Sequence, residues 1–296
     1  MCRKTYVVFF CFLLTSFFYS CSPTLKSPVP KAGTANFSRC IAIGGDFMAG
    51  YQDGALYYEG QNKCIPALLT RSFQTVGGST FRQAFMPDNQ GLGLSVKPWL
   101  GPFISASHLA SVTNCQGISN LTPVIPLLPV NQSNPYLAGT SGNAIQNLAV
   151  PAATLAQYFN PTLSIDYYSG NPNPFFNRIA SVSGHSTVYG DAVAQHATFV
   201  SLWVGMEDIF QYAANGGYPN TIPSAMQFSA YLDTLLSGLT AGGAKGVMAT
   251  LPDFRAFPFL LAGTVQYNST LPIRSRLVEF PLLRFGHNQR AFFGRE

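Results

Sequence analysis

The stretch GGDFMAGYQDG, Gly44 to Gly54, follows the apolar run Ile41-Ala42-Ile43 and leads into a polar loop. A short apolar run closed by glycines reads as a buried strand that ends in a tight turn. Cys40–Gly44 is therefore expected to be a strand. Farther along, Ala197–Val204 (ATFVSLWV) is a near-continuous apolar, β-branched and aromatic run that stops at Gly205. That composition suits a strand buried on both faces, as in parallel sheets.

Between Met226 and Leu239 the apolar residues Phe228, Tyr231, Leu232, Leu235 and Leu239 fall on one helical face. Gly242-Gly243 would stop that helix. Gly246–Leu251 (GVMATL) then reads as another buried strand, closed by Pro252-Asp253. Strand, helix and strand with short links make a βαβ unit, whose crossover is almost always right-handed. The expected fold class is α/β, one doubly wound domain on a parallel sheet.

Upstream of that unit, Pro66–Phe73 (PALLTRSF) reads as a helix with proline in its first turn. Residues 77–142, rich in Gly, Pro, Ser and Asn, are expected to form a long irregular insertion, and long loops are often functional. Asn147–Val150 is strand-like and leads into a short expected helix, Ala152–Phe159.

Bulk composition supports a loop-rich globular chain. Of 296 residues only 10% are charged and 14% are aromatic, with 27 glycines and 21 prolines. This is too apolar for a disordered chain and too rich in turn formers for a helical bundle. The formal net charge is +5, but the basic residues form no run, so nucleic acid is not expected as a partner.

At the N-terminus, Arg3-Lys4 precede the apolar run Val7–Leu14, which Phe17-Phe18 extend. The run is shorter than the ~20 residues that cross a bilayer. Residues 1–20 therefore read as a signal peptide. The sequence Phe18-Tyr19-Ser20-Cys21 resembles a bacterial lipobox, with Cys21 as the lipidated residue. Residues 21–37 form the expected tether, Pro- and Ser-rich over 22–33 and so extended and solvated, and 38–296 the folded domain. Membrane attachment through Cys21, outside the cytoplasm in a bacterial envelope, is the expected localisation. Cys40, Cys64 and Cys115 remain, an odd number without a CxxC pair, so neither a disulfide framework nor a zinc site is implied. No cofactor is expected.

With these pieces placed, the chain resembles the SGNH (GDSL-type) hydrolase family, and within it the membrane-anchored bacterial lipoproteins. The resemblance covers roughly 40–267. It rests on Gly45-Asp46-Phe47 with Ala49-Gly50-Tyr51, on NLAVPAA (Asn147–Ala153), and on LWVGMED (Leu202–Asp208). Asn173-Pro174-Phe175-Phe176 and Leu251-Pro252-Asp253 also resemble that subgroup. It implies a flavodoxin-like parallel sheet and hydrolysis of carboxylic esters of lipids, small acyl groups or acetylated glycans.

The residues that would carry the chemistry depart from the family. The nucleophilic serine position holds Phe47, which can neither attack an acyl carbon nor donate to a base; its ring is expected to pack into the turn. The glycine positions of the oxyanion loop hold Ala149 and Ala152, whose methyl groups resist positive φ. The asparagine donor position holds Glu207, read as a solvated loop carboxylate that would repel developing negative charge, with a protonated acid or a metal ligand as the alternative. No Asp-x-x-His spacing occurs. His108 and His185 are expected in loops, His196 just before a strand, and His287 in the tail; each reads as surface or structural.

The expectation is thus a membrane-anchored lipoprotein with an SGNH esterase-like fold that lacks the last strand and helix. It would be impaired as a hydrolase and would bind a lipid, acyl-ester or glycan ligand, or a partner, through the loop. One alternative is an active carboxylic-ester hydrolase with a displaced serine such as Ser79, Ser105 or Ser107. Another is a fragment of a decayed or frameshifted gene, which would leave Gly246–Leu251 as a hydrophobic sheet edge.

Overall fold

Strand β1, Cys40–Gly44, is buried at every position. The computed structural model describes residues 29–94, 103–104, 106–113, 115–124, 145–164, 173–214 and 222–253. Two compact units divide the chain, Met1–Lys31 and Ala32–Glu296, and every element below belongs to the second. The expected signal peptide, Cys21, Ser105, His287 and the tail lie outside the described residues.

After β1 the chain turns through α1 (Asp46–Ala49) into a small antiparallel pair, β2 (Tyr51–Gln52) and β3 (Ala55–Leu56). Two helices follow, α2 (Tyr58–Asn62) and α3 (Ile65–Gln74). In α3 Pro66 stands in the first turn, where its missing N–H costs nothing. The helix expected at Pro66–Phe73 is thus present, one residue longer at each end.

The stretch expected to be irregular contains two antiparallel ribbons. One pairs β4 (Gly93–Leu94) with β5 (Phe103–Ile104), and the other pairs β6 (His108–Thr113) with β7 (Ser119–Val124). Glycine at the tip, Gly117 with φ +76°, permits the β6–β7 turn. His108 opens a strand rather than lying in a loop.

Beyond this, residues 146–150 run beside β1 through Ala42 N–H to Gln146 O, Leu148 N–H to Ala42 O and Val150 N–H to Gly44 O, at 2.8–2.9 Å. Their pairing amounts to a single parallel bridge, Ala42 to Asn147. The Asn147 N–H turns away to Arg82 O, and Pro151 closes the run. The helix expected over Ala152–Phe159 is only a 3₁₀ turn, Ala156–Phe159. Ala152 itself has φ +59°, which a helix cannot accommodate.

Two short helices precede the second sheet strand. In α4 (Pro174–Asn177) the Asn173 side chain accepts the Phe175 and Phe176 N–H groups and donates to Pro151 O at 2.6 Å. Asn173 therefore serves as an N-cap and ties α4 to the loop at 151. Thr187 caps α5 (Val188–Ala194) through the Gly190 N–H.

Strand β8 (Phe199–Trp203) pairs parallel with β1 on one side and with β9 (Lys245–Met248) on the other. Helices α6 (Met206–Ala214) and α7 (Ala225–Thr240) connect them. Ser224 and Gln227 form a reciprocal capping box at the start of α7. The β8–α7–β9 unit read from the sequence is therefore present. The result is a mixed α/β fold with a three-stranded parallel sheet in the order β1-β8-β9.

The core gathers on the inner helices and β1: Ile41, Ile43, Leu148, Val150, Tyr158, Phe176 and Leu235 are all at most 2% exposed. Strand β9 differs from its expected burial, being exposed along its length, with Val247 at 49% and Met248 at 43%. Its apolar residues made it read as buried, but among the described residues it has a strand neighbour only on the β8 side.

Truncating Leu235 should cost about 2–5 kcal/mol, since both transfer energy and a cavity are at stake. Met226→Ala on the same helix, at an 81% exposed position, should change stability little. Chemical unfolding of the two variants checks the contrast.

Candidate functional site

Parallel pairing in the register Gly44 to Trp203 sets the turn after β1 beside the turn after β8. Each turn is followed by a helix, so α1 and α6 present their N-termini side by side. Glu207, in the first turn of α6, is only 5% exposed and accepts the Asp46 N–H at 2.8 Å. It is therefore a buried helical side chain, not the solvated loop carboxylate expected from the sequence. A Cβ on Gly45 would lie 1.9–2.2 Å from the Glu207 carboxyl atoms. Gly45 is thus needed for close approach.

Asp46 continues the chain of contacts. Its Oδ1 accepts the Ala152 N–H at 2.9 Å. Ala152 adopts φ +59° despite its methyl group, a backbone conformation that favours glycine. The other alanine of the loop, Ala149, donates its N–H to Asn147 Oδ1 at 3.2 Å. Asp208, 7% exposed, accepts the Leu155 N–H at 2.9 Å. Both carboxyls lie in the first turn of α6, where the helix dipole favours negative charge.

Three carboxyl groups and the buried Tyr158 phenol therefore share one region. Burial, reinforced by the neighbouring Asp46 charge, pushes Glu207 from its ordinary 4.5 up to about 8. Burial also raises Asp46 to about 6, opposed by its bond from Ala152. Asp208 is raised for the same reason. Tyr158 lies well above its ordinary value because of burial and the three nearby acids. Glu207 is thus a protonated acid over much of the neutral range.

Phe47 lies at the surface of this cluster. It is 46% exposed and stacks on Trp203, with ring centroids 5.2 Å apart and planes 17° apart. The expected packing of Phe47 into the turn is therefore incorrect: position 47 points outward, and only its face against Trp203 is covered. Trp203 Nε1 is buried and has no hydrogen-bond partner among the described residues.

The other candidates lie elsewhere. His196 precedes β8, and so stands at the opposite end of the sheet from Phe47 and Glu207. His185 sits in a turn, where its N–H donates to Val182 O. The Ser79 and Ser107 hydroxyls donate to the backbone oxygens of Thr80 and Asp53. Cys40 and Cys64 are buried, with burial raising the Cys40 thiol to about 11, while Cys115 is exposed. Among the described residues no set of three or more His, Cys, Asp or Glu side chains is placed to hold a metal ion.

Chemically, the site holds acids and blocked donors. The Ala152 N–H is bonded to the Asp46 carboxyl and the Asp46 N–H to the Glu207 carboxyl, so both donors are already engaged. Sequence reading missed Asp46, Asp208 and Tyr158 as members of the cluster. The adjacent acids after Gly205 gave a partial signal, but nothing in the spacing links them to Tyr158. Comparison with protein-family models, with curated proteins and with solved structures found no match.

The raised acidity constant of Glu207 has a definite sign for folding. The folded chain holds this proton to about pH 8, while the unfolded chain releases it near 4.5. Its stabilising contribution is fully present below 4.5 and is lost as pH rises through 8. Unfolding free energies measured across that window should fall with pH, and Glu207→Gln should flatten the fall.

Proposed function

We propose that this chain is a lipid-anchored protein of a bacterial cell envelope, built on an SGNH-hydrolase-like scaffold that no longer hydrolyses esters. In this reading the scaffold is doubly wound and flavodoxin-like, and it serves binding of a lipid, acyl-ester or glycan ligand, or of a partner. The spatial order of residues 146–150, β1, β8 and β9 supports it. In chain order these are the second, first, third and fourth parallel segments, the order found in flavodoxin-like sheets. The Gly-Asp turn at the end of β1 and the positive φ of Ala152 also support this reading.

The observation that carries this reading is the Glu207 carboxyl, buried against Gly45 and bonded to the Asp46 N–H, next to a turn whose position 47 is phenylalanine. A serine esterase needs a hydroxyl, a base to take its proton and donors for the oxyanion. Here position 47 has no hydroxyl. The place of a donor is taken by an acid. Removing one oxyanion donor alone costs about 10²–10³ in rate, and loss of the nucleophile removes the covalent route itself.

The chain is expected to give no label with a fluorophosphonate probe and no turnover of short acyl esters above a buffer blank. Phe47→Ser/Glu207→Asn restores a hydroxyl and an amide but no imidazole, so its gain should stay small. Turnover by the unmodified protein well above blank would overturn the reading.

The membrane part rests on the leader and on Cys21. No helix among the described residues is long and apolar enough to cross a bilayer. Cys21→Ala should abolish incorporation of a labelled fatty acid and move the protein from the membrane to the soluble fraction.

A further inference from the structure

The end of the sheet opposite Phe47 and Glu207 carries a different kind of site. In a parallel sheet all N-terminal strand ends fall together, and here each is flanked by a cationic or imidazole side chain. Arg39 precedes β1, His196 precedes β8, and Lys245 opens β9. Arg82 joins them from the segment after α3. Two adjoining clefts, of about 660 and about 450 Å³, share Arg39 and His196. Arg82, Ser79 and Thr80 line the first, and Lys245 lines the second.

Among the described residues no aspartate or glutamate lines either cleft. Among the described residues the one ion pair joins Lys63 to Glu59 on α2 and its C-terminal flank, so both arginines lack a carboxylate partner there. Their backbones, in contrast, are fixed. Arg39 N–H donates to Thr198 Oγ1 at 2.9 Å, and Arg39 O accepts the Thr198 and Phe199 N–H groups. Arg82 N–H donates to Gln146 Oε1 at 2.6 Å, and Arg82 O accepts the Gln146 N–H at 3.0 Å. Fixed backbones at the two arginines restrict where their exposed side chains can reach, which removes part of the ordering cost when an anion arrives. His196 adds a ring held on a positive-φ backbone, φ +46°.

We propose that this cleft pair binds a ligand bearing a phosphoryl group. Guanidinium forks match phosphate oxygens in bidentate geometry, and a phosphate offers enough acceptors for two forks where a single carboxylate does not. The Ser79 and Thr80 hydroxyls supply neutral donors beside them. A cleft lined by one sign of charge also concentrates anions before contact. The site is separate from the carboxyl cluster and does not depend on whether that cluster is a former esterase centre.

The test is thermal unfolding and titration calorimetry of the full chain with inorganic phosphate, pyrophosphate and glycerol 3-phosphate, ionic strength being held constant with chloride. Phosphate compounds should raise the unfolding temperature beyond the chloride control. Arg39→Gln/Arg82→Gln should weaken binding at least tenfold, while Arg39→Lys/Arg82→Lys, which keeps charge but loses the fork, should lose less. Arg71→Gln, whose guanidinium bonds Asn62, should bind like the unmodified chain. If the double variant does not fold, the exposed Arg82→Gln alone carries the comparison.

Phosphatidylcholine vesicles with and without phosphatidate separate the two sources of the group. Binding of the soluble phosphates without vesicle capture assigns a soluble ligand, and phosphatidate-dependent capture assigns a lipid headgroup. Absence of both, or unchanged binding in the arginine variants, overturns the proposal.

Discussion

The parallel pairing of β1 with β8, in the register that sets Gly44 against Trp203, is the constraint from which the rest follows. It brings two strand-to-helix turns together at one end and two loop segments together at the other. At the first end Glu207 can reach the Asp46 N–H only because Gly45 has no side chain. At the second end Arg39 and Thr198 exchange backbone and side-chain bonds, which seats both clefts. The two ends therefore differ in charge for a structural reason: acids gather at helix N-termini, and bases flank the strand starts.

Burying three acids together is costly unless protons or hydrogen bonds compensate. Here both happen. Asp46 and Asp208 each accept a backbone N–H from the 152–155 segment, and Glu207 keeps its proton to a pH near neutrality or above. The result is a closed network that holds the two turns and the 152–155 segment in place. A network whose acceptors are already engaged suits a structural or binding role better than acyl transfer, where donors must stay open for a developing charge.

How far the sequence carried the fold varies with the range of the forces involved. The helix at Ile65–Gln74 and the longer one at Ala225–Thr240 were legible because proline position, capping residues and apolar spacing are local. The β6–β7 ribbon was not, because its Ser, Thr and Asn content reads as loop while cross-strand pairing, a non-local matter, makes it a ribbon. Gly246–Leu251 was legible as a strand but not as an exposed one, since composition reports apolar character and not the number of neighbours.

The site divides in the same way. That position 47 lacks a hydroxyl and position 207 bears an acid is covalent information, settled by the sequence. Whether that acid is solvated or buried, and whether the ring at 47 fills the turn or lies outward on Trp203, depends on which chain segments meet in space. The clustering of Arg39, Arg82, His196 and Lys245 belongs to the second kind as well, because residues up to 206 positions apart acquire a common environment only when the strands align. Side-chain chemistry was therefore fixed by the order of residues, and environment, with the proton affinities it sets, was decided by the tertiary fold.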